Sequence, residues 1–364
     1  MRLPGCLALV AAAAALCEAG EWELRYSFPN DETAQLRLKD FRFAGPSLGL
    51  AIWSMLEKSG PRTVALITRD GGRTWKVEPQ DLPGQSLFFV NESLGWIVSE
   101  EGILRTTDAA RHWENLGGPR GMLRVYFVNE RRGWAVGTWK RIYETSDGGE
   151  TWSLVPAAAE PSSTAEFTTY GVIDFAGPQN GIIAGWTQPR HTAGASAARL
   201  VPALTILLDT RDGGVKWVPS VSTIFGHISR IRLSPEGRGL GLVEFNDAFE
   251  WPSEVFLIEW KTGRSSSVFR DPDHLVTDLW LSPRGEGLLA AVEAGPAPRD
   301  ASRPAPIKVF QSQDLTVWTA EPVPGTVRGT RGLFSSVPGG RLWLATDSGA
   351  VLEREMGESD KTEP

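Results

Sequence analysis

Cysteine and histidine are scarce in this sequence, whose 364 residues include 2 Cys and 4 His. Cys6 and Cys17 both stand near the N-terminus, so the rest of the chain has no cysteine and takes no stability from disulfides. The four histidines are scattered and lack the spacing of metal ligands. We therefore expect no disulfide framework, no bound metal and no cofactor.

Positive charge and long apolar runs are also in short supply. With 37 Lys and Arg against 44 Asp and Glu, the formal net charge is −7. This balance argues against a nucleic-acid-binding protein, which usually carries a basic stripe, and against docking on an anionic membrane. Beyond the N-terminus no apolar run approaches the roughly 18 residues that cross a bilayer. We expect a monomer with no transmembrane segment in the mature chain.

The N-terminus has the pattern of a targeting signal. Arg2 precedes the apolar run "CLALVAAAAAL", and small residues precede Gly20. The sequence predicts a signal peptide over 1–19 and export to the periplasm or the extracellular space. A retained anchor and a buried N-terminal helix remain as alternatives. At the other end, "GESDKTEP" (357–364) is typical of a solvated, disordered tail.

Tryptophan is abundant, with 15 in the chain, and much of it belongs to a repeat. "TSDGGETW" (145–152) has near-copies in "TRDGGRTW" (68–75), "TTDAARHW" (106–113) and "TRDGGVKW" (210–217), and a shorter one in "SQDLTVW" (312–318). We call these segments the Asp motifs. The first three aspartates, Asp70, Asp108 and Asp147, recur at intervals of 38 and 39 residues. Recurrence at this period is the signature of a repeat architecture and not of a catalytic centre.

Each repeat contains four short runs of β-branched and aromatic residues separated by turn residues. In one of them, "VYFVN" leads through a glycine turn to "GWAVG", then to "IYETSD" and the Asp motif, and Trp152 opens the fourth run. Four short antiparallel strands in about 40 residues describe one blade of a β-propeller. The predicted blades are 41–78, 87–117, 124–156, 171–219, 229–269, 276–321 and 332–355.

The seventh predicted blade has room for three strands, and "WELRYSF" (22–28) supplies a fourth. Joining both chain ends in one blade closes the ring and leaves no exposed sheet edge. The predicted fold is therefore an all-β, seven-bladed propeller of four-stranded antiparallel blades over residues 20–356, its last blade closed by the N-terminal strand. Six or eight blades are the alternatives.

The Asp motifs are predicted to lie in the hairpin between the third and fourth strands of a blade. Glycine supplies positive φ, and the carboxylate accepts hydrogen bonds from backbone amides of its own loop. The tryptophan is expected to bury against a neighbouring strand, and we interpret the motif as structural. The residues assigned this role are Asp70, Trp75, Asp108, Trp113, Asp147, Trp152, Asp212, Trp217, Asp314 and Trp318.

The pattern S/T-x-D-x-G-x-T-W, preceded by F-x-N-x-x-x-G-W-x-V-G, resembles the Asp-box (BNR) repeats. The segment 125–152 is most similar to blades of the photosystem II stability and assembly factor family. The resemblance is strong over 41–156, fair to 219 and weaker beyond. It implies an exported propeller that binds other proteins and assists the assembly or stability of an envelope or membrane complex, without catalysis.

Asp-box repeats also occur in sialidases and other glycan-cleaving enzymes, which gives the alternative of a glycan-binding or glycan-hydrolysing propeller. A sialidase would need three Arg and a Tyr–Glu pair, but the chain has only 4 Tyr and lacks the Arg-Ile-Pro signature. A pair of carboxyl groups facing each other across the channel mouth would favour a hydrolase. An aromatic and basic rim without such a pair would favour a protein-binding propeller.

Strand direction predicts which face binds. The Asp motifs share one face, whereas the loops between second and third strands share the opposite face with the blade-to-blade connections. The long insertions at 57–61, 187–203, 246–253 and 294–306 all fall in second-to-third loops. Loops on a rigid scaffold usually carry binding, and tryptophan beside arginine is typical of protein-binding surfaces. The predicted binding residues are Trp139, Lys140, Arg141, Trp186, Arg190, His191, Phe249 and Trp251.

Overall fold

A computed structural model describes residues 20–29, 36–57, 60–78, 82–187, 202–245, 249–294, 303–337 and 340–356. The predicted signal peptide (1–19) and tail (357–364) lie outside the described residues. Helical structure in the described part consists of two short 3₁₀ turns, Pro156–Ala159 and Ala165–Phe167. None of its helices is long and apolar enough to cross a membrane.

Seven antiparallel sheets form a ring, so the chain is an all-β, seven-bladed propeller. The first strand of each blade lies against the first strands of its two neighbours and lines a central channel. The strands are numbered in chain order, beginning with β1 (Glu23–Ser27). Blade 1 contains β2 (Leu36–Phe43), β3 (Gly49–Glu57), β4 (Gly60–Thr68) and β5 (Lys76–Val77). Blade 2 contains β6 (Ser86–Phe89), β7 (Gly95–Val98), β8 (Ile103–Thr106) and β9 (Glu114–Asn115).

The remaining blades follow the same order. Blade 3 contains β10 (Met122–Phe127), β11 (Gly133–Gly137), β12 (Ile142–Thr145) and β13 (Ser153–Leu154). Blade 4 contains β14 (Thr168–Ala176), β15 (Asn180–Thr187), β16 (Ala203–Thr210) and β17 (Val218–Ile224). Blade 5 contains β18 (His227–Leu233), β19 (Gly239–Glu244), β20 (Ser253–Glu259) and β21 (Arg264–Arg270). Blade 6 contains β22 (His274–Leu281), β23 (Gly287–Glu293), β24 (Ala305–Ser312), β25 (Thr319–Glu321) and β26 (Arg328–Gly329), which pairs with β24. Blade 7 contains β27 (Gly332–Val337), β28 (Arg341–Thr346) and β29 (Ala350–Glu355).

The N-terminal strand closes the ring as the sequence predicts. β1 pairs antiparallel with β29, with Glu23 opposite Glu353, and is the outermost strand of blade 7. The indole N–H of Trp22 also donates to Oε2 of Glu321 in blade 6 at 2.9 Å. The N-terminal segment is therefore tied to two adjacent blades.

Blade 1 begins at Leu36, five residues before the predicted start at 41. The register between β2 and β3 shifts between Leu38 and Asp40, so Lys39 forms a bulge. An extra residue in a strand breaks the alternation of apolar and polar side chains. The pattern read from the sequence therefore begins only after the bulge, although the strand itself starts earlier.

The Asp motifs lie between the third and fourth strands of their blades. In blade 1 the carboxylate of Asp70 accepts hydrogen bonds from the Thr74 N–H at 2.9 Å and the Thr74 hydroxyl at 2.6 Å, and the Gly72 N–H donates to Oγ1 of Thr68 at 2.8 Å. The two bonds from Thr74 are the largest reason why the pKa of Asp70 is lowered to about 2. The motif thus organises its own turn. Its tryptophan is fully buried in blade 4 and half-buried in the other four copies.

Aromatic side chains fasten each of three blades to the next. Trp96 of blade 2 stacks on Phe127 of blade 3 with ring centroids 3.6 Å apart, and Phe127 also contacts Trp152 of the Asp motif. The same arrangement joins blade 3 to blade 4 through Trp134, and blade 7 to blade 1 through Trp343. Each second-strand tryptophan is fully buried between the two blades. We call this contact the inter-blade clasp.

The clasp explains the second glycine of the Asp motif. A Cβ on Gly72 would lie 2.0 Å from the Trp343 ring, and one on Gly214 would lie 2.1 Å from the Trp134 ring. In the second Asp motif this position is Ala110, although its φ is +59°. The preceding blade has Leu50 where the others have tryptophan, and Leu50 and Ala110 pack in one buried cluster. Glycine is needed beside Trp343 and Trp134, and alanine fits beside Leu50. Beside Trp96 a Cβ on Gly149 would lie 3.4 Å from the indole and would fit.

Gly214→Ala should therefore destabilise the fold by about 2–4 kcal/mol, because the new Cβ overlaps Trp134 and because φ is positive at this position. In a Trp134→Leu background, which reproduces the Leu50–Ala110 pair, the same change should cost only about 1–2 kcal/mol of backbone strain. Urea unfolding of the four proteins of this double-mutant cycle measures the difference. Equal costs in the two backgrounds would show that Trp134 is not the reason for the glycine.

Candidate binding site

Six of the eight predicted binding residues belong to the described part of the chain, and all six fall on the face of the ring where second strands lead into third strands and where successive blades connect. We call it the connection face, and the opposite one the motif face. Trp139, Lys140 and Arg141 follow β11, and Trp186 lies near the end of β15. Phe249 and Trp251 precede β20. Arg190 and His191 lie outside the described residues.

Trp139 is displayed by an unusual turn. Trp139 and Lys140 both have positive φ, +62° and +58°, in a region that non-glycine residues rarely occupy. The ammonium group of Lys140 donates to the carbonyl oxygens of Ala159, Pro161 and Ser163, which holds the turn. The Lys140 side chain is therefore engaged within the fold, whereas Trp139 is 54% exposed. Backbone strain that projects a large apolar side chain into solvent is typical of functional sites.

Phe249 and Trp251 pack against their own blade and its neighbour. The Phe249 ring stacks on Phe245 at 4.5 Å and lies 5.5 Å from Phe225. Arg270 covers the Trp251 ring at 4.9 Å. Both side chains are half-buried, so they form a partly exposed aromatic edge near blade 5.

Trp186 lies in the mouth of the central channel. Its ring is 5.0 Å from His227 and covers Gly171, where a Cβ would approach the ring to 2.6 Å. The mouth is a concave cavity of about 600 Å³ on the connection face. Its basic residues are Arg37, Lys39, Arg124, Arg230 and Arg331. Among the described residues that line it, Glu244 is the one carboxylate.

Sequence reasoning missed this basic mouth, since a net charge of −7 gives no sign of it. The signal that could have found it is local, namely basic residues near the start of first strands in "RLKD", "LRVY" and "SRIR". First strands begin at the connection face, so these side chains converge around the channel. This convergence becomes visible only when the order and direction of the strands in the ring are known.

Deeper in the channel, three aspartates connect neighbouring first strands. Asp40 of blade 1 accepts a hydrogen bond from the Leu87 N–H of blade 2 at 2.8 Å. Asp174 of blade 4 accepts from the Leu233 N–H of blade 5 at 2.7 Å. Asp278 of blade 6 accepts from the Phe334 N–H of blade 7 at 2.8 Å. Each carboxylate thus fixes the spacing between two blades.

The third of these carboxylates, Asp278, is ion-paired. Its Oδ1 lies 3.0 Å from Nε of Arg230 and 3.7 Å from Nη2 of Arg232. Asp40 has Arg42 at 3.7 Å, and although burial acts to raise its pKa, the nearby arginines and amides lower it. The pairing of buried charges reduces the cost of removing them from water.

Asp174 is less well compensated. Burial raises its pKa to about 6, although Arg232 and the Leu233 amide act in the opposite direction. In the unfolded chain the ordinary value is 3.8. This carboxyl therefore favours the folded state most below pH 4, and its contribution is lost as the pH rises through 6.

The described residues contain no group of three His, Cys, Asp or Glu side chains arranged to hold a metal ion. The three channel carboxylates are engaged with backbone amides, and two of them also with arginines. In the mouth the single carboxylate faces no second one among the described lining residues. The described lining of the mouth is basic, with Trp186 as its one large aromatic side chain.

Solved structures of similar fold are found at low sequence identity. A structure of YCF48 bound to D1 peptide has a TM-score of 0.59 at 17% identity, and the match covers 94% of this chain and 98% of that chain. YCF48 from Cyanidioschyzon merolae has a TM-score of 0.57 at 15% identity, covering 92% and 98%. An ancestral GH74 enzyme has a TM-score of 0.52 at 14% identity, covering 77% of this chain and 38% of that one. The likeness shows the propeller fold.

At such identities the likeness shows nothing finer than the fold. No protein-family model matches the chain, and no curated protein matches it. Its neighbours include binding proteins and an enzyme, and propellers host many unrelated functions. The function must therefore be argued from the chemistry of the site.

Asp174→Asn removes the ionisation of the buried carboxyl but keeps an oxygen for the Leu233 N–H. We expect the variant to be more stable than wild type at pH 8 by roughly 2–3 kcal/mol. Because wild-type Asp174 is protonated at low pH, this difference should shrink towards zero at pH 4. Denaturant unfolding across this range measures it.

Asp278→Asn is the matched control, since it removes a carboxylate that pairs with Arg230. It should destabilise the fold at pH 8, because it leaves buried arginines without a partner. If the effect of Asp174→Asn on stability did not change with pH, the raised pKa of Asp174 would be contradicted.

Proposed function

We propose that this chain is an exported, non-catalytic propeller that binds a protein partner at the mouth of its channel. In this role it would assist the assembly or stability of an envelope or membrane complex. The observation that carries the proposal is the mouth itself, whose described lining combines one tryptophan with five basic residues and one carboxylate. Export rests on the N-terminal pattern of residues 1–19.

The charge of the mouth indicates what the partner presents. Arg37 and Lys39 are exposed at the rim, and Arg331 is half-buried beside them. A concave site lined by one sign of charge concentrates the electrostatic potential, even in a protein whose net charge is of the opposite sign. An acidic segment of a partner would be attracted to the mouth and repelled by the rest of the surface.

Aromatic side chains add contact area on the same face. Trp186 lines the mouth, and Trp139 is exposed on the same face. Tryptophan and arginine dominate the binding energy of protein interfaces. A cavity of about 600 Å³ is large enough to admit several side chains of an extended peptide.

The structural neighbours support a peptide ligand by analogy. YCF48, a protein of this fold, has a structure bound to a D1 peptide. We infer that a propeller of this size offers enough surface to hold a peptide segment, and that this chain does so at its basic mouth.

Glycan binding or hydrolysis is the second candidate, because exposed tryptophan such as Trp139 also stacks on sugar rings. Hydrolysis would need a pair of carboxyl groups about 5–10 Å apart around the bond to be cleaved. The described residues of the mouth contribute Glu244 alone. The chemistry of the mouth therefore favours binding.

Neutralising the rim tests the proposal. The triple variant Arg37→Gln, Lys39→Gln, Arg331→Gln should weaken binding of an acidic ten-residue peptide roughly tenfold or more at low salt, because three rim charges contribute about 0.2–1 kcal/mol each. Wild-type affinity should fall steeply with salt, and that of the variant should fall less. Fluorescence anisotropy with a peptide and its Glu→Gln counterpart measures both effects.

The matched control is Arg73→Gln, Arg111→Gln, Lys216→Gln, which removes the same charge from exposed positions in Asp motifs on the motif face. If both triples weaken binding equally, net charge and not the mouth attracts the peptide, and the proposed site is wrong.

Trp139→Ala should leave the melting temperature within about 2 °C of wild type, since the ring is largely exposed and surface changes usually cost about 0.5 kcal/mol or less. We expect it to reduce retention of the protein partner in pull-downs from native envelope extract. Trp251→Ala tests the aromatic edge in the same way. Unfolding of these variants would show that the side chains serve packing instead.

The pull-down also separates the two functions. We call the variant with Arg37, Lys39 and Arg331 replaced the mouth triple, and its control the motif-face triple. Wild type and the motif-face triple should retain the same protein, whereas the mouth triple should not retain it. Retention of no protein, together with binding on a glycan array or release of reducing sugar, would support the glycan-directed alternative.

A further inference from the structure

A second cavity occupies the other end of the channel, on the motif-face side. It has a volume of about 320 Å³ and is lined by side chains from the later halves of the first strands. We call it the chamber. The chamber and the mouth share Arg124, Val172, Ser229 and Arg230, which form the throat between them.

Polar groups in the throat and chamber lack partners within the fold. Nε of Arg124 donates to the Gly171 carbonyl at 3.0 Å, but its terminal nitrogens have no hydrogen-bond or ion-pair partner among the described residues. The Ser229 hydroxyl is buried and has no partner there, and neither does Nε of Arg42 for a hydrogen bond. The buried donors without an acceptor are the Ser229 hydroxyl and Nε of Arg42, and such donors are costly. The Arg124 side chain is half-buried and lines both cavities.

The charges along the throat and chamber do not balance. Four guanidinium groups, those of Arg42, Arg124, Arg230 and Arg232, face three carboxylates. Two of the carboxylates are ion-paired to Arg230 and Arg42. Arg124 is the one of these four arginines without an ion pair among the described residues. Burial and the proximity of Arg230 lower its pKa to about 9, although the charge of Asp40 acts in the opposite direction. One further negative charge would balance the set.

The chamber walls beyond the throat are aromatic. Phe88, Tyr126 and Trp280 line it from three different blades, and all three are half-buried. The rings of Phe88 and Tyr126 lie 4.9 Å apart in a tilted arrangement. Such walls suit a flat apolar body, whereas a bare inorganic ion would leave them unused.

We propose that the throat and chamber bind a small organic acid with one carboxylate and a flat apolar body. The carboxylate accepts hydrogen bonds from the terminal nitrogens of Arg124 and from the Ser229 hydroxyl, and the body lies among Phe88, Tyr126 and Trp280. A guanidinium matches a carboxylate in a bidentate arrangement. The site is separate from the peptide-binding rim, because Arg37, Lys39 and Arg331 take no part in it.

Benzoate is the probe, with benzamide as its neutral counterpart and acetate and inorganic phosphate as anions without a flat body. Benzoate at saturation should raise the melting temperature by about 3 °C or more and quench tryptophan fluorescence through Trp280. Benzamide, acetate and phosphate should have little effect at equal ionic strength. Equal effects of benzoate and phosphate would overturn the proposal in favour of an inorganic anion site.

Three variants complete the test. Arg124→Gln and Ser229→Ala should each lower benzoate affinity at least tenfold, and Arg111→Gln on the motif face should leave it unchanged. Benzoate binding retained by Arg124→Gln would overturn the proposal. If Arg124→Gln does not fold, Trp280→Ala replaces it, with loss of affinity expected and full affinity contradicting the site. The mouth triple should still bind benzoate, so failure here is distinguishable from failure of the peptide-binding function.

Discussion

Where a blade carries an Asp motif, its fit to the preceding blade depends on one contact, in which a second-strand side chain of that preceding blade packs against the motif. Seven sheets close into a propeller only if each fits the side of its neighbour. Where the second strand carries tryptophan, the contact is a buried aromatic stack such as Trp96 on Phe127. Beside Trp343 and Trp134 the adjoining turn must be glycine, because the indole occupies the space a Cβ would need. The Asp carboxylate holds the turn in the conformation that brings the glycine there.

Closing the ring in this way forces charged residues together in the channel. Bulges at Lys39, Leu123, Ser229 and other residues shift the side-chain alternation just before the channel residues. Asp40, Asp174 and Asp278 then accept amide hydrogen bonds from the adjacent first strand and join pairs of blades. Four arginines face these three carboxylates and exceed them by one charge. The channel is thus stabilised by polar contacts on the inside and by aromatic clasps further out.

The fold could be predicted from the sequence because its signals are local and repeated. Turn glycines, the Asp–Trp spacing and short alternating runs all lie within one blade, and "WELRYSF" supplied the missing strand. The first-blade boundary was wrong because a bulge disrupts the alternation on which the prediction depended. The mouth could not be predicted, since Arg37, Arg124 and Arg230 are far apart in sequence and meet only through the ring. Trp186 was predicted as a binding residue, and the structure places it in that mouth; its role remains a prediction.

The two faces of the ring differ in how tightly their loops are packed against the neighbouring blade. The Asp-motif turns are short and are held by hydrogen bonds to their own aspartates. In two of them the glycine has no room for a Cβ, so these turns tolerate little change. Connection-face loops bear no clasp, and their length and aromatic content are free to vary while the blades stay in place. The basic residues at the start of the first strands point into the channel and not into the contact between two blades. They can therefore be charged without disturbing the packing of the blades. A protein of net charge −7 thereby presents a basic cavity on the face that its architecture leaves available for binding.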